Sequence, residues 1–126
     1  MNHLFASILL SFSALFSCQQ SKVASLPVKE FDALIQDENV QRVDVRTVAE
    51  YSEGHIIHSV NINVLDPSFI AVADSVLRKD KPVALYCRSG KRSKKAAAIL
   101  SERGYTVYEL KDGFNAWKQA GKEEEK

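Results

Sequence analysis

Tyr86-Cys87-Arg88-Ser89-Gly90-Lys91-Arg92-Ser93 is the stretch of this 126-residue chain whose residue types could do chemistry. It holds a potential nucleophile, Cys87, a glycine that allows a tight turn, and three cations at Arg88, Lys91 and Arg92. An apolar run, Val83 to Tyr86, leads into it and a helix-forming run follows. A short glycine-containing loop between strand and helix can turn successive backbone N–H groups inward, with the positive end of the helix behind them. A thiol in such a loop gives up its proton more readily, because the thiolate is hydrogen-bonded and faces a positive field. The same donors stabilise a persulfide anion, whose charge lies one atom further out. Three cations beside it make an anionic substrate the natural guest. The other reading is an inert cysteine at a strand end beneath a solvated basic surface; the order strand, cysteine, basic glycine loop, helix favours the reactive thiol.

Thiol loops of this shape also serve cysteine phosphatases, where five residues separate the cysteine from an arginine. Here Arg92 follows Cys87 with four residues between, and Ser93 stands one position further on. The shorter loop encloses less volume, which suits a sulfur atom better than a phosphoryl group. Asp112 is the best candidate for the general acid a phosphatase needs, and it is a weak one. His3, His55 and His58 are too scattered to read as a metal site. His55 reads as a turn or core residue rather than a base.

The elements that must hold this loop follow from hydrophobic period. Phe31, Leu34 and Ile35 recur at helical spacing behind Pro27, which predicts a helix over 28–37. Residues 40–45 read as a short strand, and Val60, Ile62 and Val64 as a strand with one buried face. Asp66 and Pro67 supply an N-cap and a first helical residue for a helix through Phe69, Ile70, Ala73, Val76 and Leu77. The run 83–86 suits a strand covered on both faces. Ala96, Ile99, Leu100 and Arg103 share a helix face that ends at Gly104; residues 106–110 form another strand and 113–119 a last helix around Phe114 and Trp117. Strands alternating with helices imply an α/β fold with a parallel sheet covered on both faces. Ligands on such sheets bind beyond the carboxyl ends of the strands, which is where Cys87 stands.

The length allows one domain. A formal charge of +1 gives no global attraction to nucleic acid or acidic lipid. Residues 1–17 contain no Lys, Arg, Asp or Glu, and their apolar run has the length of a signal peptide rather than of a membrane span. The run ends at Leu15-Phe16-Ser17-Cys18, similar to the lipobox of bacterial lipoproteins, although the n-region lacks a basic residue. The expected organisation is a signal peptide over 1–17, a lipidated Cys18 with a tether through 25, a folded domain over 26–120, and a charged tail over 121–126. The chain is thus expected to be exported and anchored by its lipid, facing the periplasm; the alternative is a soluble periplasmic or secreted protein.

Three motifs in order resemble the single-domain rhodanese family. Asp44-Val45-Arg46, Glu50-Tyr51 and Gly54-His55-Ile56 resemble its first signature, the loop from Cys87 to Arg92 its six-residue active-site loop, and Leu110-Lys111-Asp112-Gly113-Phe114 with Ala116-Trp117 its closing motif. The resemblance implies a sheet of about five parallel strands and a sulfurtransferase in which Cys87 carries sulfur as a persulfide. It implies that Arg88, Ser89, Gly90, Lys91 and Arg92 bind the substrate, with Arg88 and Lys91 at the mouth and Arg92 closing the loop. Asp44, Arg46 and Glu50 would form a charged shell holding the loop's geometry, or an ion-pair network without a role in the chemistry. A small anionic sulfur donor such as thiosulfate and a thiol or cyanide acceptor are implied, and no metal or organic cofactor. A non-catalytic rhodanese-like binding module, or a phosphatase or arsenate reductase-like enzyme, are the alternatives. Ile57-His58-Ser59 departs from the family's Pro-Gly-Ala, which predicts an altered turn, and Asp112 replaces a common glycine.

Overall fold

The computed structural model describes residues 23–126. In chain order the elements are β1 (Val23–Leu26), α1 (Val28–Ile35), β2 (Gln41–Asp44), α2 (Val48–Glu53), β3 (His55–Ile56), β4 (Val60–Asn61), α3 (Phe69–Val76), β5 (Val83–Tyr86), α4 (Lys91–Glu102), β6 (Val107–Leu110), α5 (Gly113–Gln119) and β7 (Glu124–Glu125). Five parallel strands form the main sheet in the order β1-β6-β5-β2-β4, and β3 pairs antiparallel with β7.

The sheet is central because β5 is apolar along its whole length and all four of its residues are buried. Alternation sends Val83 and Leu85 to one face, where α3 and α4 supply Phe69, Ala73, Ala96, Ala97 and Leu100. Ala84 and Tyr86 face the other layer, where α1 and α5 supply Phe31, Ile35, Phe114 and Trp117. Small residues on α4 let it lie close against the sheet, and α4 is the helix that leaves the Cys87 loop. The first-turn amides of α5 also point at that loop. Two helices from opposite faces therefore converge on the carboxyl end of β5.

Several elements differ from the sequence expectation, each for a local reason. Residues 23–25, expected in the tether, join Leu26 as edge strand β1, paired in register with β6. The charged tail is likewise structured: β7 lies along β3, and the Trp117 indole N–H donates to the Glu123 carbonyl. The first helix stops at Ile35 rather than 37. Asp66 does not cap α3; its Oδ1 accepts both the amide and the hydroxyl of Ser68, closing a turn that leaves Ser68 at the cap and Pro67 outside the helix. The expected strand through Val64 pairs for only two residues. Ile62 and Val64 are buried as expected, but Val60 lies exposed at the open edge. Ile70 and Val76 of α3 are also exposed. Cys18 and the expected signal peptide fall outside the described residues.

Candidate active site

Cys87 leaves the carboxyl end of β5 fully buried, and the Gly90 N–H donates to its Sγ at 3.1 Å. Two glycines let the loop form where it does. A Cβ on Gly90 would lie 2.1 Å from the Lys111 carbonyl oxygen, and one on Gly113 would lie 2.4 Å from the Arg88 oxygen and 2.7 Å from the Ser89 nitrogen. The loop and the turn before α5 thus cross at backbone contact, which no side chain permits. That crossing brings the Phe114 N–H to the Cys87 carbonyl at 2.8 Å and the Asn115 N–H to the Arg88 carbonyl at 3.0 Å. The closing motif is a brace for the cysteine loop.

The charged residues divide into two groups. Glu50 reaches the loop: its carboxylate takes Arg92 Nη1 at 2.8 Å and Nη2 at 2.9 Å, a bidentate pair. The Arg92 hydrogen bonds hold the Glu50 carboxyl down at about 2, and reciprocally Glu50 raises Arg92, with a smaller contribution from the Cys87 sulfur. Thr47 fixes Glu50 from behind through a reciprocal capping box at the start of α2. Arg92 is thereby tied across the loop to α2. Among the described residues Asp44 and Arg46 make no ion pair with the loop. They pair with each other at 2.7 Å in a buried site, and Arg46 Nη2 donates to the Gly54 carbonyl at 2.6 Å. The Arg46 guanidinium lies over the Phe114 ring at 4.5 Å and near Tyr86 at 5.7 Å. This pair props the residues on either side of the loop's backbone contact, one layer beneath it.

Arg88, Ser89 and Lys91 are exposed around the loop, and neither cation takes part in an ion pair among the described residues. Asp112 lies exposed before α5 and makes no side-chain cap. His55 is buried, stacked on Tyr51 at 3.6 Å with Nδ1 against the Tyr51 carbonyl, a packing role as expected. The turn at Ile57-His58-Ser59 keeps a left-handed residue without glycine, because His58 itself adopts φ +65°. Tyr86, beneath Cys87, is pushed well above the ordinary phenol range by burial and by Asp44, and its hydroxyl accepts the Ile56 N–H.

Three polar residues of this region escape the motif reading: Ser93, Lys94 and Glu109. Glu109 is fully buried on β6, where its carboxylate takes the Ser93 hydroxyl at 2.6 Å. A charged residue inside an apolar strand was the available signal. Among the described residues no group of three His, Cys, Asp or Glu side chains is arranged to hold a metal ion. The clefts of about 520 and 510 Å³ lie around Arg42 and His58 at the amino ends of the strands, away from Cys87.

Comparison with known proteins converges on the same region. The family model of the rhodanese-like domain matches residues 27–120. The chain is 38% identical over 89 residues to a sulfurtransferase of Allochromatium vinosum, covering 70% of this chain and 80% of that protein. It is 34% identical over 102 residues to the thiosulfate sulfurtransferase GlpE of Shewanella oneidensis, covering 79% and 97%. A tRNA uridine(34) hydroxylase of Pelagibacter ubique is 33% identical over 99 residues, 78% of this chain but only 33% of that protein. Among solved structures, a rhodanese-related protein from Thermoplasma volcanium superposes with a TM-score of 0.71 at 26% identity, covering 81% of this chain and 97% of that one. The fold is rhodanese-like, its relatives include named sulfurtransferases, and the chain belongs to the rhodanese family.

Proposed function

We propose that this protein moves sulfane sulfur from a small anionic donor to a thiol acceptor through a persulfide on Cys87. The observation that carries the reading is the Gly90 N–H on Cys87 Sγ, in a loop whose Arg88 and Lys91 are exposed and, among the described residues, without carboxylate partners. In the first step the Cys87 thiolate attacks the outer sulfur of a donor such as thiosulfate. A new S–S bond forms, the donor's S–S bond breaks, and sulfite leaves with the electron pair. In the second step an acceptor thiolate, or cyanide in the test tube, takes the outer sulfur and returns Cys87 to the thiolate. Each stage carries negative charge beside the Gly90 amide, which is already aimed and needs no reorganisation. The Glu50–Arg92 pair keeps the loop shut around that charge. We place this activity outside the cytoplasm on a lipid at Cys18. The support is the uncharged apolar run before Ser17-Cys18, and labelling cells with a fatty-acid probe, with and without Cys18→Ala, tests it.

Intact-mass measurement of the purified domain after incubation with thiosulfate tests the chemistry. A gain of about 32 Da, one sulfur atom, is expected on the native chain and none on Cys87→Ala. A folded protein that takes no sulfur from any donor would overturn the reading. Hydrolysis of an aryl phosphate without sulfur uptake would move it to phosphoryl chemistry.

A further inference from the structure

Glu109 is a buried charge with no part in the two steps above. It shares the α4-facing side of β6 with Val107, at a position where a covered parallel strand normally carries an apolar residue. A carboxylate is costly there unless donors meet it. Three do: the hydroxyl of Ser25 on β1, the hydroxyl of Ser93 at 2.6 Å, and the Lys94 ammonium at 3.3 Å.

Two of these donors also face the cysteine loop. Ser93 Oγ lies 3.0 Å and Lys94 Nζ 3.2 Å from the Gly90 carbonyl, and Lys94 Nζ lies 3.1 Å from the Lys111 carbonyl. Serine has one proton, and the shorter contact, to a carboxylate, takes it. Lys94 is then the donor left for Gly90. Its ammonium joins Glu109, Gly90 and Lys111, and the last two are the residues whose backbones touch where a Gly90 Cβ would have no room. Gly90 is also the residue whose N–H meets Cys87 Sγ.

We propose that Glu109 and Lys94 are positioning residues for the sulfur site: the buried carboxylate holds the Lys94 ammonium on the Gly90 carbonyl, and this fixes the aim of the Gly90 amide at Cys87. The proposal rests on Cys87 being the sulfur carrier. It concerns loop geometry rather than donor binding, so it acts on the rate at saturation and not on the donor concentration needed for half-saturation.

Two readouts test it: alkylation of Cys87 by iodoacetamide at neutral pH, and single-turnover persulfide formation from thiosulfate followed by mass. Lys94→Met slows both by about three- to tenfold, the scale of one well-placed hydrogen bond, with half-saturation unchanged within about twofold. Lys94→Arg restores most of the rate. Lys95→Met, the same loss of charge at the next exposed residue, leaves both rates at the native level. Glu109→Gln separates positioning from a simple field effect. Removing a nearby negative charge would by field alone speed alkylation, whereas a misaimed Gly90 amide slows it, by about two- to fivefold. A faster Glu109→Gln variant, or Lys94→Met at native rates with only a lower melting temperature, overturns the proposal. So does a Lys94→Met variant impaired in half-saturation alone, which would make Lys94 a donor contact. Should Glu109→Gln fail to fold, the three lysine variants decide. Alkylation requires no sulfur donor. Slower alkylation in a protein that never takes up sulfur would defeat the sulfurtransferase reading while leaving the positioning intact.

Discussion

Of the turns that carry this domain through positive φ, two use different kinds of residue to do it. The cysteine loop has Gly90 at +105°, whereas the turn after β3 has His58 at +65°. The contrast lies in the surroundings. Gly90 is pressed against the Lys111 carbonyl, and Gly113 of the same turn is pressed against Arg88 and Ser89 of the loop. His58 is exposed, and its amide needs only the Glu125 carboxylate of β7 at 2.9 Å. Left-handed backbone alone costs a non-glycine residue about 1–2 kcal/mol, and histidine tolerates it better than most. A backbone crossing without room for a Cβ is a stricter requirement. One turn is built for geometry at a reacting atom and the other merely reverses the chain.

Gly90→Ala breaks this comparison most severely. If φ were the only constraint, alanine would cost what it costs in any left-handed turn. With the Lys111 oxygen in the way, strain and crowding add, and we expect a loss of about 3 kcal/mol or more in urea unfolding. Sulfur loading of Cys87 should fall to background with it, because the displaced amide no longer meets the sulfur. An alanine variant within about 1 kcal/mol of native stability that still loads sulfur would show the crossing to be adjustable.

The loop also has a bidentate ionic brace, the Arg92–Glu50 pair. Glu50→Gln removes the charge from the Arg92 pair and should cost about 1–2 kcal/mol at pH 7, part of the pair's worth being screened by solvent. Because the Glu50 carboxyl is held near 2, below its ordinary 4.5, its contribution is complete above the ordinary value and is lost as pH falls toward 2. Unfolding of the native and glutamine proteins should therefore differ by a constant amount near neutrality and converge across that acid window. A gap that persists undiminished at pH 2 would trace the cost to shape rather than to charge.

Much of the cysteine loop was legible because its parts are consecutive: strand, thiol, glycine and cations lie within eight residues. Glu50 entered only through the family motif that contains it, and its pairing with Arg92, 42 residues away, was not legible. Glu109 stood out only as a charge in an otherwise apolar strand, and its partners were not legible. Alternation assigns faces to a strand, but a strand covered on both faces has no solvent side to which a charge can be sent, and the donors Ser25 and Ser93 are 84 and 16 residues away. The strands β1 and β7 were missed for a related reason. Both are short, and the hydrogen bonds that order them come from β6 and β3, elsewhere in the chain. For Asp44 and Arg46 the motif gave the residue types, and the fold gave their place: a buried pair beside Tyr86 and Phe114, one layer beneath the loop.

His58→Gly has the smallest expected effect and defines the comparison from the permissive side. Glycine relieves the left-handed strain at φ +65°, and the exposed imidazole donates and accepts no side-chain hydrogen bond here whose loss would offset the gain. Against this stands the greater freedom of glycine in the unfolded chain, worth about 0.4–1 kcal/mol. The balance favours the folded protein by up to about 1 kcal/mol. His58→Val should move the other way by a larger amount, since a β-branched side chain fits the left-handed region worst. Neither variant should alter sulfur loading at Cys87, because the His58 side chain is exposed, and the turn meets the site through other residues: Ile56 and Ser59 on the Tyr86 hydroxyl, and the Gly54–Arg46–Phe114 stack. If valine were tolerated as well as glycine, the turn would be relaxing out of its left-handed form, and its conformation would be set by the β7 strand rather than by residue 58.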